Sequence, residues 1–537
     1  MNGHVWLDAL VLVAYFGAII WVGLSQRSKS DSIEGFSLGD RQIAWWAVLA
    51  SIIAAEISAA TFLGAPGEGY ANRNWTYAQL AIGTIIARIF VSVVFIPLYY
   101  RHGVISIYEF LETRFGRPTR LLASATFLVS RVLAMGTRLY VSAIIVVLAV
   151  EMWRGQPVEA GEKFALFAGA LVLVSLLTAL YTTVGGIRAV IWTDFIQVGV
   201  LVASVGFTIP FLLGKIDGGW STVVQHIQAP AIFDFVPALP GEGTWAWLLR
   251  MFSLEYTIYA AIVASTFVTM ATHGIDQDTV QRMLTAKNRR QSAFATILSG
   301  LVDVPIVSSF ILIGLLLSIF YAAQPVAGLP AEDREVFPYF ILHQMPAGLR
   351  GLVTAGILAT AMGSLSTALN ALATSFSRDF VLPRLERDAT GVDEHRRVRV
   401  LRWSTVLFSL LIIVVGVVTA WYMAHNPSAR IIPLVLGILG FTFGSLLGIF
   451  LVGFFTKSRG SDLGNALAIS AGILAVLWAS GVHVKLFGAA GAKPAFVLAF
   501  PWRITLGTLV TVVVAICFPT PAARMESARR HEAELEP

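Results

Sequence analysis

The chain contains thirteen apolar stretches that are each long enough to cross a lipid bilayer, and no other feature limits its fold as strongly. A helix needs about 20 residues to cross the hydrocarbon core, and it satisfies its own backbone hydrogen bonds there. Because 56% of the residues are hydrophobic and 13% are charged, we predict an all-α membrane protein rather than a soluble one. The candidate spans, numbered 1 to 13 in chain order, are 5–25, 43–71, 77–100, 118–150, 162–183, 187–213, 249–272, 290–321, 347–378, 401–424, 431–455, 462–482 and 500–518.

The distribution of positive charge predicts the orientation of the chain. An odd number of spans places the termini on opposite sides, and Lys and Arg are concentrated in the loops after spans 1, 3, 5, 7, 9 and 11 and in the tail. By the positive-inside rule, the N-terminus is outside and the C-terminus is cytoplasmic, in the cell (inner) membrane. The basic residues beside span 1 follow it, so this span does not resemble a cleaved signal peptide. We expect a transporter domain over 1–518 and a cytoplasmic tail over 519–537.

The composition also excludes several classes of protein. The net charge of +6 reflects basic cytoplasmic loops, and no basic-aromatic pattern indicates a nucleic-acid surface. Cys517 is the only cysteine, so an intramolecular disulfide and a cysteine metal cluster are both impossible.

The stretch Ser51–Tyr70 in span 2 breaks the apolar pattern. A helix with these residues should come apart within the membrane, and unwound backbone is tolerated there only where protein buries it or a wet cavity receives it. The free carbonyls would suit a small cation, and the positive helix end would suit an anion. The alternative is a kinked, packed helix in which Glu56 has a structural partner. The polar and helix-breaking residues are Glu56, Ser58, Thr61, Gly64, Pro66, Gly67 and Gly69.

Span 7 is irregular in a similar way. Three threonines recur on one helix face and are followed by His273, Gly274 and a charged run. Irregular helices five spans apart predict two inverted repeats, a first over 43–213 and a second over 249–455. Span 1 would then be peripheral, and 462–518 would form two additional helices. The three threonines are Thr266, Thr269 and Thr272.

Span 9 and span 6 carry oxygen atoms that could bind a cation. Span 9 has an unusual density of hydroxyls, which either bond to their own helix or supply ligands to a hard cation. In span 6, Asp194 is a carboxylate inside the membrane, which needs a partner. That partner is either a cation or a group on span 9 that forms a hydrogen bond with the carboxylate. The hydroxyl residues of span 9 are Thr360, Ser364, Ser366, Thr367, Thr374 and Ser375.

The charged residues Glu56, Arg88, Arg131 and Arg138 fall in spans 2, 3 and 4. One glutamate cannot neutralise three arginines, although Asp194 and Asp303 could contribute. A substrate carboxylate would supply the missing negative charge through a bidentate contact. The alternative is an internal ion-pair network that fixes the packing of the helices.

Three motifs in the expected order resemble the sodium/solute symporter family. They are VGGIRAVIWTDFIQ (184–197), DQDTVQR (276–282) and GSLLGIFLVGFF (444–455). The resemblance covers spans 1 to 11 and implies a leucine-transporter-like core of two inverted five-helix repeats. It also implies alternating access and sodium-driven uptake.

The resemblance further implies two sodium sites. The first would use the backbone carbonyls of Ala54, Ile57 and Thr360 and the hydroxyls of two residues adjacent in span 9. In this chain those two positions hold Gly363 and Ser364. Because Gly363 removes one ligand oxygen, this site is weaker, is completed by water or Asp194, or is built differently. The second would use Asp194, Ser366 and Thr367, and all three are present.

The positions matching the family's sugar contacts lack the aromatic and amide residues of a galactose site. They are Thr61, Ala81, Ser130, Thr269, Thr272 and His273. Except for Ala81, they join Glu56, Arg88, Arg131 and Arg138 as the candidate substrate residues.

We therefore expect a sodium-coupled symporter that imports a small polar solute, with an organic anion favoured over a sugar or polyol. Sodium is the expected coupling ion, and its partners are the solute and the bilayer. No organic cofactor and no enzymatic activity are expected. A proton-coupled carrier using Glu56, a solute sensor and a channel remain alternatives.

Overall fold

The computed structural model describes residues 5–26, 32–154, 158–226, 232–388, 393–425, 431–487, 494 and 496–535, and nearly all of its regular structure is helical. This confirms the predicted all-α class. Short helices and turns connect the longer helices. The helices used below are α1 (Val5–Ser25), α2 (Trp45–Glu56), α3 (Ala59–Asn72), α4 (Ala81–Phe90), α5 (Arg117–Arg154), α6 (Ala160–Leu213), α7 (Ser265–Gly274), α8 (Gln277–Met283), α9 (Arg289–Ala323), α10 (Asp333–Gln344), α11 (Leu349–Phe376), α12 (Glu394–His425), α13 (Ile431–Phe455), α14 (Asp462–Ala479), α15 (Phe500–Ile516) and α16 (Ala522–Glu534).

Among the described residues, nine helices are long and apolar enough to cross a membrane, and the broken pair α2–α3 makes up to ten. The helices Ala260–Gly274 and α15 are apolar but shorter. Helix α6 has 54 residues, which is roughly 80 Å of helix and more than twice the hydrocarbon thickness. Its backbone leaves helical geometry at Gly186 (φ 58°, ψ −150°), between predicted spans 5 and 6. Thirteen crossings therefore remain a prediction.

The predicted break in span 2 lies at Ile57 and Ser58. Both residues have extended backbone angles, and the two flanking segments are bent by 60°. The carbonyl of Ser58 accepts the first backbone bonds of α3, from Thr61 and Phe62 at 2.9 Å each. Pro66 lies inside α3, so the glycine and proline cluster does not mark the break.

Helix α7 also ends abruptly, as the sequence pattern of span 7 predicted. Gly274 is its last residue, and Asp276 caps the next helix, α8, by accepting a hydrogen bond from Asp278 N at 3.1 Å. This turn places the charged run of α8 within the protein, where Asp276, Asp278 and Arg282 are all buried.

Helix α11 is the centre of the fold. Nearly every side chain from Gly351 to Ser375 is buried, including all the hydroxyl residues predicted in span 9. Helix α1 lies at the periphery with most of its surface exposed. It is attached through Asp8, which accepts hydrogen bonds from Gly348 N at 2.8 Å and Arg350 Nε at 2.7 Å.

Helices α3 and α9 approach each other through glycines. A Cβ on Gly314 would lie 2.0 Å from Pro66 O, and one on Gly69 would lie 2.4 Å from Ile311 O. Real Cβ atoms do not approach carbonyls this closely, so both glycines are needed for the contact. Close approach through small residues is a common way for membrane helices to pack.

Candidate functional site

A cavity of about 300 Å³ lies at the break between α2 and α3, against α4, α5, α7 and α9. Three aromatic side chains, Tyr77, Tyr256 and Phe500, also line it. Several hydroxyls face the same space, so the lining combines apolar, hydroxyl and charged groups. The predicted substrate residues in the lining are Glu56, Thr61, Arg138, Thr269 and Thr272.

Four predicted substrate residues are not in this lining: Arg88, Ser130, Arg131 and His273. The Ser130 hydroxyl donates to Thr126 O at 2.6 Å, within its own helix. The other three contact protein groups behind the cavity wall. The structure therefore does not bring these four side chains to the cavity.

The Glu56 carboxylate forms an ion pair with a buried arginine. Arg88 donates from Nη2 to Glu56 Oε2, and His273 Nε2 lies 3.3 Å from the same Arg88 nitrogen. The Arg88 side chain is 0% exposed, whereas that of Glu56 is 26% exposed. A Cβ on Gly300 would lie 2.9 Å from Arg88 Nη1, so this glycine makes room for the guanidinium. The pair thus confirms the structural partner that we considered for Glu56.

Arg131 is neutralised by the run that follows α7. Its Nη2 donates to Asp278 Oδ2 and lies 3.2 Å from Asp276 Oδ2. On the next turn of α8, Arg282 Nη2 lies 3.3 Å from Asp278 Oδ1, and its Nε lies 3.9 Å from Asp194 Oδ2. A buried line of alternating charges therefore connects α5, α8 and α6.

Arg138 differs from the other two arginines of the predicted cluster. It lines the cavity, and within the described parts of the chain it forms no ion pair and no hydrogen bond. The ion-pair network thus accounts for Arg88 and Arg131, whereas Arg138 is left with its charge directed at a space that a ligand could enter.

The first predicted sodium site brings α11 against the end of α2. A Cβ on Gly363 would lie 3.4 Å from Ala54 O, and Ser364 Oγ lies 3.5 Å from Ala55 O. Ile57, which follows the last residue of α2, is in the extended break. Carbonyl and hydroxyl oxygens of this kind are the ligands that hard cations prefer.

Three of the six predicted hydroxyl residues of α11 bond to their own helix, as one of the two predictions for span 9 proposed. Thr360 Oγ1 donates to Ile357 O at 2.8 Å, Ser366 Oγ to Gly363 O at 3.1 Å, and Thr367 Oγ1 to Gly363 O at 2.9 Å. A hydroxyl that donates its proton still has lone pairs for a cation. Back-bonding therefore does not exclude these residues as ligands.

Asp194 is 0% exposed, and its partners are not on α11. Its Oδ2 accepts a hydrogen bond from Ser51 Oγ at 2.5 Å, and Arg282 is the nearest cation. The other carboxylate oxygen, Oδ1, is buried without a hydrogen-bond partner among the described residues. Ser51 is therefore a structural partner of this carboxylate that the sequence did not predict.

Unpaired buried polar atoms collect around Asp194. The Tyr181 hydroxyl and both polar atoms of the Gln197 side chain have no hydrogen-bond partner in the described part of the protein. Tyr181 lies close to Ser366, Thr193, Gln197 and Asp194, but none of these contacts has the geometry of a hydrogen bond to its hydroxyl. Since buried polar groups are nearly always paired, these atoms fit a site that receives a cation or water.

Several of these residues were not identified from the sequence. Ser51 and Arg282 lie far along the chain from Asp194, and no local pattern indicates their contacts with it. A signal did exist for Asp276 and Asp278, because two buried acids after span 7 could have been matched with the excess of arginine in span 4.

Residues 36–464 of the chain match the family model described as the sodium:solute symporter family. The chain belongs to this family. The predicted resemblance is therefore confirmed, and so is the assignment to multi-pass membrane transporters that use sodium.

Two curated relatives and one solved structure indicate the range of this family. The chain is 27% identical over 500 residues to the sodium/sialic acid symporter SiaT of Proteus mirabilis, covering 90% of this chain and 92% of that one. It is 27% identical over 480 residues to sodium-coupled monocarboxylate transporter 2 of Danio rerio, covering 86% and 70%. Its fold matches that of a Na⁺-coupled sialic acid symporter with a TM-score of 0.76 and 24% identity, over 95% and 97% of the two chains.

Proposed function

We propose that this symporter imports a small organic anion and that Arg138 binds the carboxylate of that anion. The observation that supports the proposal is the unpaired guanidinium of Arg138 in the wall of the cavity. A buried arginine in a membrane protein needs a counter-ion, and a carboxylate fits its planar donors in a bidentate contact. Relatives named for sialic acid and for monocarboxylates transport solutes of this class.

The remaining lining residues would set the shape and polarity of the site. Thr61, Thr269 and Thr272 offer hydroxyls, and Glu56 lines the cavity while Arg88 neutralises it. Arg131, Ser130 and His273 would act indirectly by fixing the helices that carry the lining. The hydroxyls also suit a neutral sugar or polyol, which is the second candidate class of substrate.

Sodium would bind beside this cavity, on the groups brought together by α2, α6 and α11. The proposed ligands are carbonyls of Ala54, Ile57 and Thr360 with the Ser364 hydroxyl, and Asp194 with Ser366 and Thr367. The membrane potential supplies about 2.3 kcal/mol per charge per 100 mV. Entry of two sodium ions with one monovalent anion would carry one net positive charge inward and would use that energy for uptake.

The direct test measures ligand binding by Arg138 variants. Purified protein in sodium buffer is heated with a panel of carboxylates, sugar acids, neutral sugars and polyols, because a ligand of the folded state raises its melting temperature. We expect stabilisation by carboxylates, its loss in Arg138→Gln and its partial return in Arg138→Lys. Sodium binding should persist in both variants. Arg131→Gln is the contrasting variant, and it should lower the yield because it leaves Asp276 without its cation and Asp278 with Arg282 alone.

A neutral solute as the best ligand, with unchanged binding in Arg138→Gln, would overturn the anion proposal in favour of a sugar or polyol. Stabilisation by carboxylates that survives Arg138→Gln would instead show that another group binds the anion.

The proposed orientation, N-terminus outside and C-terminus cytoplasmic in the cell (inner) membrane, has its own test. Replacing the single cysteine by Cys517→Ser and adding Ser527→Cys puts one thiol on α16, where Ser527 is exposed. A membrane-impermeant thiol reagent should label this position in inside-out vesicles and not in intact cells. Labelling in intact cells would reverse the assignment.

A further inference from the structure

A second cavity, of about 290 Å³, lies where α5 and α12 end and where α6 and α10 begin. It shares no lining residue with the solute cavity, which is the cavity at the break between α2 and α3. Helix α5 stands between the two spaces. Its Arg138 and Val141 line the solute cavity, whereas its Tyr140 and Ile144 line the second cavity. The second cavity is therefore a space that the proposed transport of a solute does not use.

The wall of the second cavity is mostly apolar and aromatic. The rings of Tyr140 and Phe167 stack with their centroids 4.7 Å apart and an interplanar angle of 26°. Phe164 adds a third ring to the lining. The face of an aromatic ring attracts a cation that lies within about 6 Å of its centroid. The remaining apolar residues of the lining are Ile144, Val147, Leu148, Ala420, Met423 and Ala424.

Four charged side chains line the same cavity, and three of them have ion-pair partners. Arg334 Nη2 pairs with Glu332 Oε2. Lys163 Nζ lies 3.8 Å from Oε1 of Glu151, which is outside the lining. Glu335 is half-buried, and its carboxylate forms no ion pair and no hydrogen bond with any described residue. The charge that is left without a partner in this lining is therefore negative.

The surroundings of Glu335 disfavour its charge. Burial raises the pKa of the Glu335 carboxyl and the neighbouring charge of Glu332 raises it further, whereas Arg334 and Lys163 lower it. Glu151 is a third acid that acts on this carboxyl, so three acids are set against two cations. Burying a polar group without a partner costs free energy. A bound cation would remove that cost.

We propose that this second cavity binds an organic cation, in which an ammonium group is attached to an apolar or aromatic body. The ammonium would lie against the Glu335 carboxylate and an aromatic face, and the body would fill the apolar part of the wall. A metal ion fits less well, because a hard cation needs several oxygen ligands and the described residues contain no group of three His, Cys, Asp or Glu side chains that could hold one. Such a site goes beyond the proposed transport function.

The test is a titration of melting temperature with three small probes. Phenethylamine carries both the ammonium and the ring, 2-phenylethanol keeps the ring without the charge, and ethylamine keeps the charge without the ring. The sodium buffer is mildly alkaline, so that the amine stays protonated, and it contains no other organic cation. Because a ligand of the folded state raises its melting temperature, we expect phenethylamine to act at concentrations about tenfold or more below those of the other two probes.

Variants locate the binding site of the amine. Glu335→Gln keeps the shape of the side chain and removes its charge, so it should raise the phenethylamine concentration for half-maximal stabilisation about tenfold or more. Asp333→Asn is the matched control and should titrate like the unchanged protein, because Asp333 is exposed on the same helix and does not line the cavity. Phe164→Leu removes a ring from the wall and should weaken phenethylamine binding about threefold or more. It is the second variant should Glu335→Gln fail to fold.

Three results would overturn the proposal. Equal stabilisation by 2-phenylethanol and phenethylamine would show a merely apolar cavity. Equal titration of Glu335→Gln and Asp333→Asn would place the amine elsewhere, for example beside Glu56 and Asp303 of the solute cavity. The third result is the absence of any stabilisation by phenethylamine. Each of these results leaves sodium-coupled uptake of a carboxylate intact, because that proposal is tested separately through Arg138.

Discussion

Glu56→Gln should destabilise the protein more than Arg88→Gln, although the two side chains form one ion pair. Arg88 is 0% exposed, so removing the Glu56 charge leaves a cation fully buried. Breaking a buried pair in this way costs about 3–5 kcal/mol. Asp303 is buried nearby and interacts with both Glu56 and Arg88, which places the cost at the lower end of that range.

Arg88→Gln leaves a different group unpaired. Glu56 is 26% exposed and lines the cavity, so water can reach its carboxylate. The expected cost is about 1–3 kcal/mol, typical of a polar group that loses its partner. The double variant should lose less than the sum of the two single variants, because no charge of the pair is then left uncompensated.

Melting temperature and the yield of monodisperse protein in detergent provide the assay. Arg530→Gln is the matched control, because the Arg530–Glu526 pair on α16 is 75% and 67% exposed and should contribute little. A greater loss in Arg88→Gln than in Glu56→Gln, or additive losses in the double variant, would refute the burial argument.

The remaining predictions concern helix packing and the buried carboxylate of α6. Gly314→Ala should lower the melting temperature by forcing α9 away from Pro66 O, whereas Gly206→Ala, where a Cβ meets no atom within 4 Å, should not; equal melting temperatures would contradict the close contact. Asp194→Asn should raise the sodium concentration needed for half-maximal stabilisation about tenfold or more, and Ser51→Ala should raise it less. If Asp194→Asn titrates normally, the carboxylate is only a structural partner of Ser51.

Much of the fold could be predicted because each helix satisfies its own backbone in the membrane. The apolar stretches therefore indicated where helices lie, and the polar residues of span 2 indicated that this helix breaks. The position of the break was not predictable, since Pro66 remains inside α3 and the chain unwinds at Ile57 and Ser58.

The candidate site was predictable as a set of residue types and not as a set of contacts. The sequence shows an excess of arginine over glutamate in spans 2 to 4. The acids that neutralise Arg131 are Asp276 and Asp278, which are 145 and 147 positions after it. Such pairs follow from how the helices pack. The same holds for Gln197 of α6, whose Oε1 lies 2.8 Å from where a Cβ on Gly363 of α11 would be.

The measurement that tests the central claim most directly is solute uptake into proteoliposomes with an inside-negative potential. Each carboxylate, sugar and polyol of the binding panel is offered with external sodium and, separately, with choline in its place. We predict that a carboxylate accumulates above its external concentration with sodium, and that Arg138→Gln abolishes this uptake. Equal uptake in sodium and choline would contradict the account.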